Sequence, residues 1–207
     1  MRSARGRGLR WMHARAGMLM LGAAIMLGAG PPAARAADTA PVESVRVYVK
    51  REYRLPDLRL VSMKREQVQL ARAIAYDGPV LVNFVFTTCS TICSTQTGTL
   101  VGLQHLLDST AMRARFVTLT IDPDNDTPQR LAQFAQQFGI EHDWMFYTGA
   151  YDELLRAQQA FDVYRGAKVN HPPVILMRRN AKAPWVRVEG FATPDQLLRI
   201  LGQLPEA

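Results

Sequence analysis

A short apolar run near the middle of the chain constrains the fold more than any other segment. Residues 80–86 read Val-Leu-Val-Asn-Phe-Val-Phe, with a single polar interruption. A run of this length, rich in Val and Phe, predicts a strand that is buried on both faces, as in a central parallel strand. Such a strand requires helices on both faces of its sheet. We therefore expect an α/β fold with residues 80–86 at its centre.

The segments around this strand alternate between strand and helix patterns. Strands are predicted at 45–49, 58–61, 114–121, 144–147, 174–177 and 185–188, and helices at 66–76, 94–108, 128–138, 151–161 and 194–204. We expect 58–61 to pair with 45–49 and the last two strands to form a hairpin. The order predicts a thioredoxin-like fold with a central mixed, mostly parallel sheet flanked by helices. An N-terminal β extension and a C-terminal hairpin plus helix complete it.

The first 36 residues have the layout of a secretory signal peptide. They contain six arginines and no acidic residue, an apolar stretch at 16–30, and the small-residue pattern Ala34-Arg35-Ala36. The apolar stretch is shorter than the ~20 residues of a spanning helix. Cleavage after this pattern is therefore favoured over an uncleaved anchor, in which residues 16–30 would be the one membrane contact. We expect an exported, periplasmic protein, either soluble or membrane-anchored.

Removing this segment changes the charge balance and the expected domain organisation. The whole chain has a net charge of +7, but residues 37–207 carry 19 basic and 18 acidic side chains. This near-neutral balance argues against a nucleic-acid partner. Residues 37–53 are predicted to form a linker and N-terminal extension, and residues 54–207 a single thioredoxin-like domain.

The two cysteines of the chain, Cys89 and Cys93, come directly after the central strand. Ligands bind at the carboxyl ends of strands in open α/β sheets, and a helix N-terminus favours a thiolate. A spacing of four residues lets both sulfurs face one metal ion. Thioredoxin-type redox motifs have two intervening residues rather than three, so a redox pair is the weaker match. A metal site, a redox pair and structural cysteines all remain open on spacing alone.

A metal site needs a third ligand, and three histidines follow the signal segment. His105 lies on the predicted helix after the cysteines and His142 in a loop, and both are interpreted as solvent-facing. His171 precedes the hairpin, in a loop that lies beside the cysteine loop in a thioredoxin-like sheet. A cis-proline is usual there, at Pro172 or Pro173. Taken alone, a loop histidine is more often a surface residue than a ligand.

Three motifs in this order resemble the SCO/SenC family. They are the cysteine pair after an apolar strand (89–93), the segment Thr-Ile-Asp-Pro-Asp-Asn-Asp-Thr-Pro (120–128), and Asn-His before a strand (170–171). The resemblance covers roughly residues 54–204. It implies an exported, often membrane-anchored copper protein with a thioredoxin-like fold.

The same resemblance implies the ligands and the partners. Cys89, Cys93 and His171 would bind copper, as Cu(I) or Cu(II), and two thiolates with an imidazole suit that metal. The expected partners are a recipient copper protein such as a cytochrome oxidase subunit, and a copper donor or thiol reductant that serves this chain. The chain would serve it as a copper donor or as a reductant of the thiols at its copper site. A metallochaperone is thus favoured over an enzyme.

Two features keep alternatives open. Ser90 and Ser94 stand where many family members have proline, which leaves room for a thiol–disulfide oxidoreductase or redox sensor that uses the two cysteines. A peroxidase-like protein with the same fold would need an arginine beside its reactive cysteine.

Asp122 and Asp126 belong to an acidic loop that the family places near copper and links to partner docking. We favour turn formation and helix capping for both.

Overall fold

The computed structural model describes residues 45–50, 52–140 and 143–206. Its strands are β1 (Arg46–Lys50), β2 (Arg59–Ser62), β3 (Gln67–Gln69), β4 (Val80–Val85), β5 (Arg115–Thr120), β6 (Trp144–Thr148), β7 (Val174–Arg178) and β8 (Trp185–Glu189). Its helices are α1 (Leu70–Ala73), α2 (Ile92–Asp108), α3 (Pro128–Gln137), α4 (Tyr151–Ala160) and α5 (Pro194–Gly202), with a 3-10 turn at Lys168–Asn170. The predicted signal segment lies outside the described residues.

The eight strands form one mixed sheet in the order β1-β8-β7-β4-β5-β6-β2-β3. The pairings β4–β5 and β5–β6 are parallel, whereas the other pairings in the described chain are antiparallel. The mixed sheet and the β7–β8 hairpin are as predicted, but the parallel part is smaller than predicted. The reason is that hairpins flank the three parallel strands on both sides, and strand–helix alternation does not reveal how those hairpins are oriented.

Both faces of the sheet are covered, as the central strand requires. All six residues of β4 are buried. Because successive side chains of a strand point to opposite faces, Val80, Val82 and Phe84 join one core with α4, and Leu81 joins another. The second core holds the apolar sides of α2, α3 and α5. In the described part of the chain, no helix is long and apolar enough to cross a membrane.

Two predictions about the N-terminal half are wrong. The strand β1 pairs with β8 at one edge of the sheet, whereas β2 lies between β3 and β6 near the other edge. The predicted helix at 66–76 is a short strand, β3, followed by the single turn α1. Its apolar spacing suits a helix, but β3 gains an antiparallel partner in β2, and short helices are marginal without such support.

The sheet brings three chain segments together at one end of its central strands. Because β4 and β5 are parallel, both of their carboxyl ends lie there. The strand β7 runs antiparallel to β4, so its amino end lies there too. The segment after β4 carries the cysteines, the segment before β7 carries His171, and the segment after β5 carries the two aspartates. The described chain contains no cis peptide bond, so the cis-proline predicted at 172 or 173 is absent.

Candidate metal centre

Cys89 lies in the turn between β4 and α2. Helix α2 begins at Ile92, two residues earlier than predicted, so that Cys93 lies within its first turn. The N-cap residue Thr91 makes no side-chain capping hydrogen bond. Instead, the Cys89 sulfur accepts a hydrogen bond from the Cys93 backbone N–H at 3.4 Å. The sulfur of Cys89 therefore stands where a capping oxygen usually stands, at the positive end of the helix dipole.

The two thiols have opposite electrostatic environments. Partial burial by itself would raise the pKa of Cys89, but hydrogen bonds from Cys93 and Thr91 outweigh it and lower that pKa below its ordinary value. Cys93 is 1% exposed, and burial raises its pKa to about 12, with the neighbouring Cys89 adding to the rise. Both cysteines are free thiols. Cys89 is thus the accessible, more acidic thiol, and Cys93 the buried one.

His171 is a buried histidine with unused nitrogens. It is 5% exposed, and its ring meets that of Phe84 edge-on, with 6.1 Å between the centroids. Neither ring nitrogen has a hydrogen-bond partner. Burial lowers the pKa of His171 to about 4. The nearby backbone of Phe84 acts in the opposite direction, although it forms no hydrogen bond of ordinary geometry with the ring. Histidine binds metals as a neutral imidazole, through a ring nitrogen that has no other partner.

The three predicted ligands line the same cavity. This cavity has a volume of about 230 Å³, and Cys89, Cys93 and His171 lie on its wall together with Phe86 and Lys168. Within residues 45–50, 52–140 and 143–206, no group of three His, Cys, Asp or Glu side chains is placed to hold a metal ion as it stands. The structure therefore brings the three side chains to one cavity without arranging them as a finished coordination site.

Of the two other candidate histidines, His105 lies in the described part of the chain, and it does not line this cavity. His105 is exposed on α2, as predicted. His142 lies outside the described residues.

The aspartates of the β5–α3 loop contact the segments that carry the site. Asp126 is fully buried and accepts hydrogen bonds from the backbone N–H and the hydroxyl of Thr87, two residues before Cys89. Asp122 forms an ion pair with Lys168. The N-cap of α3 is Thr127, so neither aspartate has that role. Sequence reasoning missed Thr87 and Lys168, because their contacts with the loop span 39 and 46 residues.

Comparison with known proteins identifies the family. The profile of the SCO1/SenC family matches residues 58–183, more than half of the chain. The chain belongs to the SCO1/SenC family. The matched segment contains the cysteine pair, the aspartate loop and His171, which are the three motifs on which the resemblance rested.

Relatives and solved structures extend this result. A SCO1 protein homolog of Bacillus subtilis (strain 168) is 37% identical over 70 residues, which are 33% of this chain and only 36% of that relative. Yeast Sco1 with copper bound superposes with a TM-score of 0.63 at 18% identity, over 74% of this chain and 92% of that one. BsSco, a member of the Sco family of cytochrome c oxidase assembly proteins, gives 0.61 at 22% identity, over 73% and 92%. At these identities the two structures establish the fold alone, and they confirm the predicted thioredoxin-like fold of this SCO1/SenC chain.

Proposed function

We propose that this SCO1/SenC chain is an exported copper-binding protein that holds copper through Cys89, Cys93 and His171. The observation that carries the proposal is the cavity on which two thiols and a buried imidazole with unpaired nitrogens meet. Burying such nitrogens without a partner costs free energy, and a metal ion bound to one of them would remove part of that cost. Thiolates and an imidazole form a donor set that suits copper.

The two cysteines would bind the ion differently. Cys89 lies at the accessible side of the cavity, and its sulfur carries the hydrogen bond that stabilises a thiolate. Cys93 is buried, and a bound cation would offset the burial that keeps its thiol protonated. We propose that copper enters and leaves at Cys89, and that small side-chain movements bring the three donors together around the ion.

The recipient is proposed to be a copper enzyme such as cytochrome c oxidase. Support comes from BsSco, which belongs to a family of cytochrome c oxidase assembly proteins, and from yeast Sco1, whose structure holds copper. The chain would act as a copper donor to such a site or as a reductant of its thiols.

Export belongs to the same proposal. Residues 1–36 would direct the chain out of the cytoplasm, residues 37–53 would form a linker and extension, and residues 54–207 the copper-binding domain. Mass spectrometry of the protein from an exporting host tests this: an N-terminus at residue 37 or 38 is expected, and an intact residue 1 in the cytoplasm would contradict it.

A metal titration tests the ligand set. The reduced protein is titrated with Cu(I) in competition with a chromophoric chelator, and compared with Cys89→Ser, Cys93→Ser and His171→Ala. His105→Ala is the matched control, because His105 is exposed on α2. We expect one bound equivalent and a loss of about a hundredfold or more in affinity for each cysteine variant. The loss should be smaller for His171→Ala, because Cu(I) depends mainly on the thiolates, and the control should not change. Equal affinity in all five proteins would refute the proposal.

A thiol–disulfide reductase is the second candidate, favoured by the contrast between the two thiols. The Cys89 thiolate would attack a substrate disulfide and release one substrate thiolate, which takes up the proton of Cys93. The Cys93 thiolate would then attack the Cys89 sulfur of the mixed disulfide and release the second substrate thiolate, so that a Cys89–Cys93 disulfide forms and the substrate receives two electrons. Turnover of a disulfide substrate by metal-free protein, lost in Cys89→Ser, would support this candidate.

A further inference from the structure

The loop between β5 and α3 is bonded to both segments that carry the proposed ligands. Asp126 binds Thr87 ahead of the cysteines, and Asp122 binds Lys168 ahead of the histidine. The two contacts differ in burial, because Asp126 is fully buried whereas the Lys168 side chain is 40% exposed. One aspartate therefore anchors the cysteine segment firmly, and the other holds the histidine segment through a solvent-accessible ion pair.

Lys168 connects this ion pair directly to His171. Its ammonium group contacts a carboxylate oxygen of Asp122 and lies 5.4 Å from the centroid of the Phe86 ring. Its backbone carbonyl accepts a hydrogen bond from the His171 N–H at 3.1 Å. The 3-10 turn from Lys168 to Asn170 is thus held at its side chain by Asp122 and joined at its end to the imidazole-bearing residue.

Asp122 is itself held in a fixed orientation. Both of its carboxylate oxygens accept hydrogen bonds from the Asn125 side chain at 3.1 Å. Its backbone N–H donates to the Thr120 hydroxyl at 3.0 Å, at the end of β5. The carboxylate that receives Lys168 is therefore fixed relative to the sheet, and the ion pair transmits that position to the histidine segment.

We propose that the Asp122–Lys168 ion pair is a positioning element that sets how well His171 reaches copper, and hence the preference between Cu(II) and Cu(I). The inference rests on the proposed function of the site. Two thiolates suffice for Cu(I), whereas Cu(II) depends more strongly on the imidazole nitrogen. Both thiolates come from the segment anchored by Asp126, so breaking the ion pair displaces the imidazole and leaves the thiolates in place.

The test compares Lys168→Leu, Asp122→Asn, the double variant and Lys168→Arg with the wild-type protein. Arg156→Leu is the matched control, because Arg156 forms a similarly exposed ion pair with Glu153 on α4 at 2.9 Å. Affinities for Cu(I) and Cu(II) are measured separately, together with the visible sulfur-to-copper absorption of the Cu(II) form. Hydrogen exchange of the His171 amide is followed in the metal-free protein, and urea unfolding reports overall stability.

We expect Lys168→Leu and Asp122→Asn each to lose about threefold to fivefold in Cu(II) affinity, with a shifted absorption band and less than a twofold change for Cu(I). The double variant should match the single ones, because one interaction is removed in all three. Lys168→Arg should retain Cu(II) affinity, and Arg156→Leu should behave as wild type. The His171 amide should exchange faster in Lys168→Leu.

Two outcomes overturn the inference: equal effects on Cu(I) and Cu(II), or wild-type Cu(II) affinity in both single variants. Failure of the proposed function looks different, because the wild-type protein would then bind neither ion. In that case the exchange measurement still decides whether the ion pair holds the histidine segment, and an unchanged His171 exchange rate in Lys168→Leu refutes the positioning role.

Discussion

Replacing Asp126 with alanine should destabilise the protein by removing the buried acceptor that holds the cysteine segment. The carboxylate accepts the Thr87 N–H at 3.1 Å and the hydroxyls of Thr87 and Thr120. A backbone N–H left without an acceptor costs about 1–3 kcal/mol, and each hydroxyl, which can rotate towards other acceptors, about 0.5–1 kcal/mol. We expect the free energy of unfolding to fall by about 3 kcal/mol.

Two companion variants separate the lost hydrogen bonds from a general effect of mutating the loop. Asp126→Asn keeps one acceptor oxygen, and its amide can donate to a Thr120 hydroxyl that turns round, so a loss of about 1 kcal/mol is expected. Asp124 lies in the same loop but is exposed, so Asp124→Ala should change the unfolding free energy by less than about 0.5 kcal/mol.

Urea unfolding of the reduced, metal-free proteins, followed by far-UV circular dichroism and tryptophan fluorescence, measures these differences. The reasoning requires the order Asp126→Ala, then Asp126→Asn, then Asp124→Ala, from the largest loss to the smallest. It would be refuted by a loss below about 1 kcal/mol in Asp126→Ala, which would mean that Thr87 finds another acceptor at little cost.

Two further predictions concern the thiols and the packing of α2. Iodoacetamide should alkylate Cys89 at least about tenfold faster than Cys93 near neutral pH, because Cys89 is accessible and more acidic while Cys93 is buried. Mass spectrometry of the reduced protein measures both rates, and comparable rates would contradict the structure. On α2, Gly102→Ala should lower the free energy of unfolding by about 1–3 kcal/mol, because a Cβ would lie 2.7 Å from Pro194 Cγ. Gly98→Ala is its matched control, with no atom within 4 Å of the added Cβ, and should raise the free energy of unfolding by about 0.5–1 kcal/mol. Urea unfolding measures both variants, and the opposite order of stabilities would show that α5 moves away from the added Cβ at little cost.

Local patterns were sufficient where the physics is local. The apolar run predicted β4, and the helices predicted to begin at Pro128 and Pro194 do begin there. Helix capping by Asp122 and Asp126 was wrong, because Thr127 is the N-cap of α3. The same reasoning was wrong at residues 66–76, where apolar spacing suggested a helix and the chain forms β3 and a single helical turn. A strand gains its hydrogen bonds from a partner elsewhere in the chain, which local spacing does not record.

The candidate site shows the same division. The sequence predicted Cys89, Cys93 and His171 as one group, and the structure places all three on one cavity. Sequence reasoning did not predict that Cys93 is buried within α2 while the Cys89 sulfur lies at the start of that helix. Nor did it predict Lys168, whose ion pair with Asp122 joins residues 46 apart.

The central strand and the family were predicted from the amino-acid sequence, together with the side chains proposed as ligands. Those follow from residue identity and from spacing along the chain, which need no knowledge of distant contacts. The folded chain set the direction and register of the pairings that bring the carboxyl ends of β4 and β5 together with the amino end of β7. It also decided which thiol is accessible, that the imidazole nitrogens are unpaired, and which aspartate holds which segment. Burial and hydrogen bonding between distant residues produce these properties, and both arise only when the chain is folded.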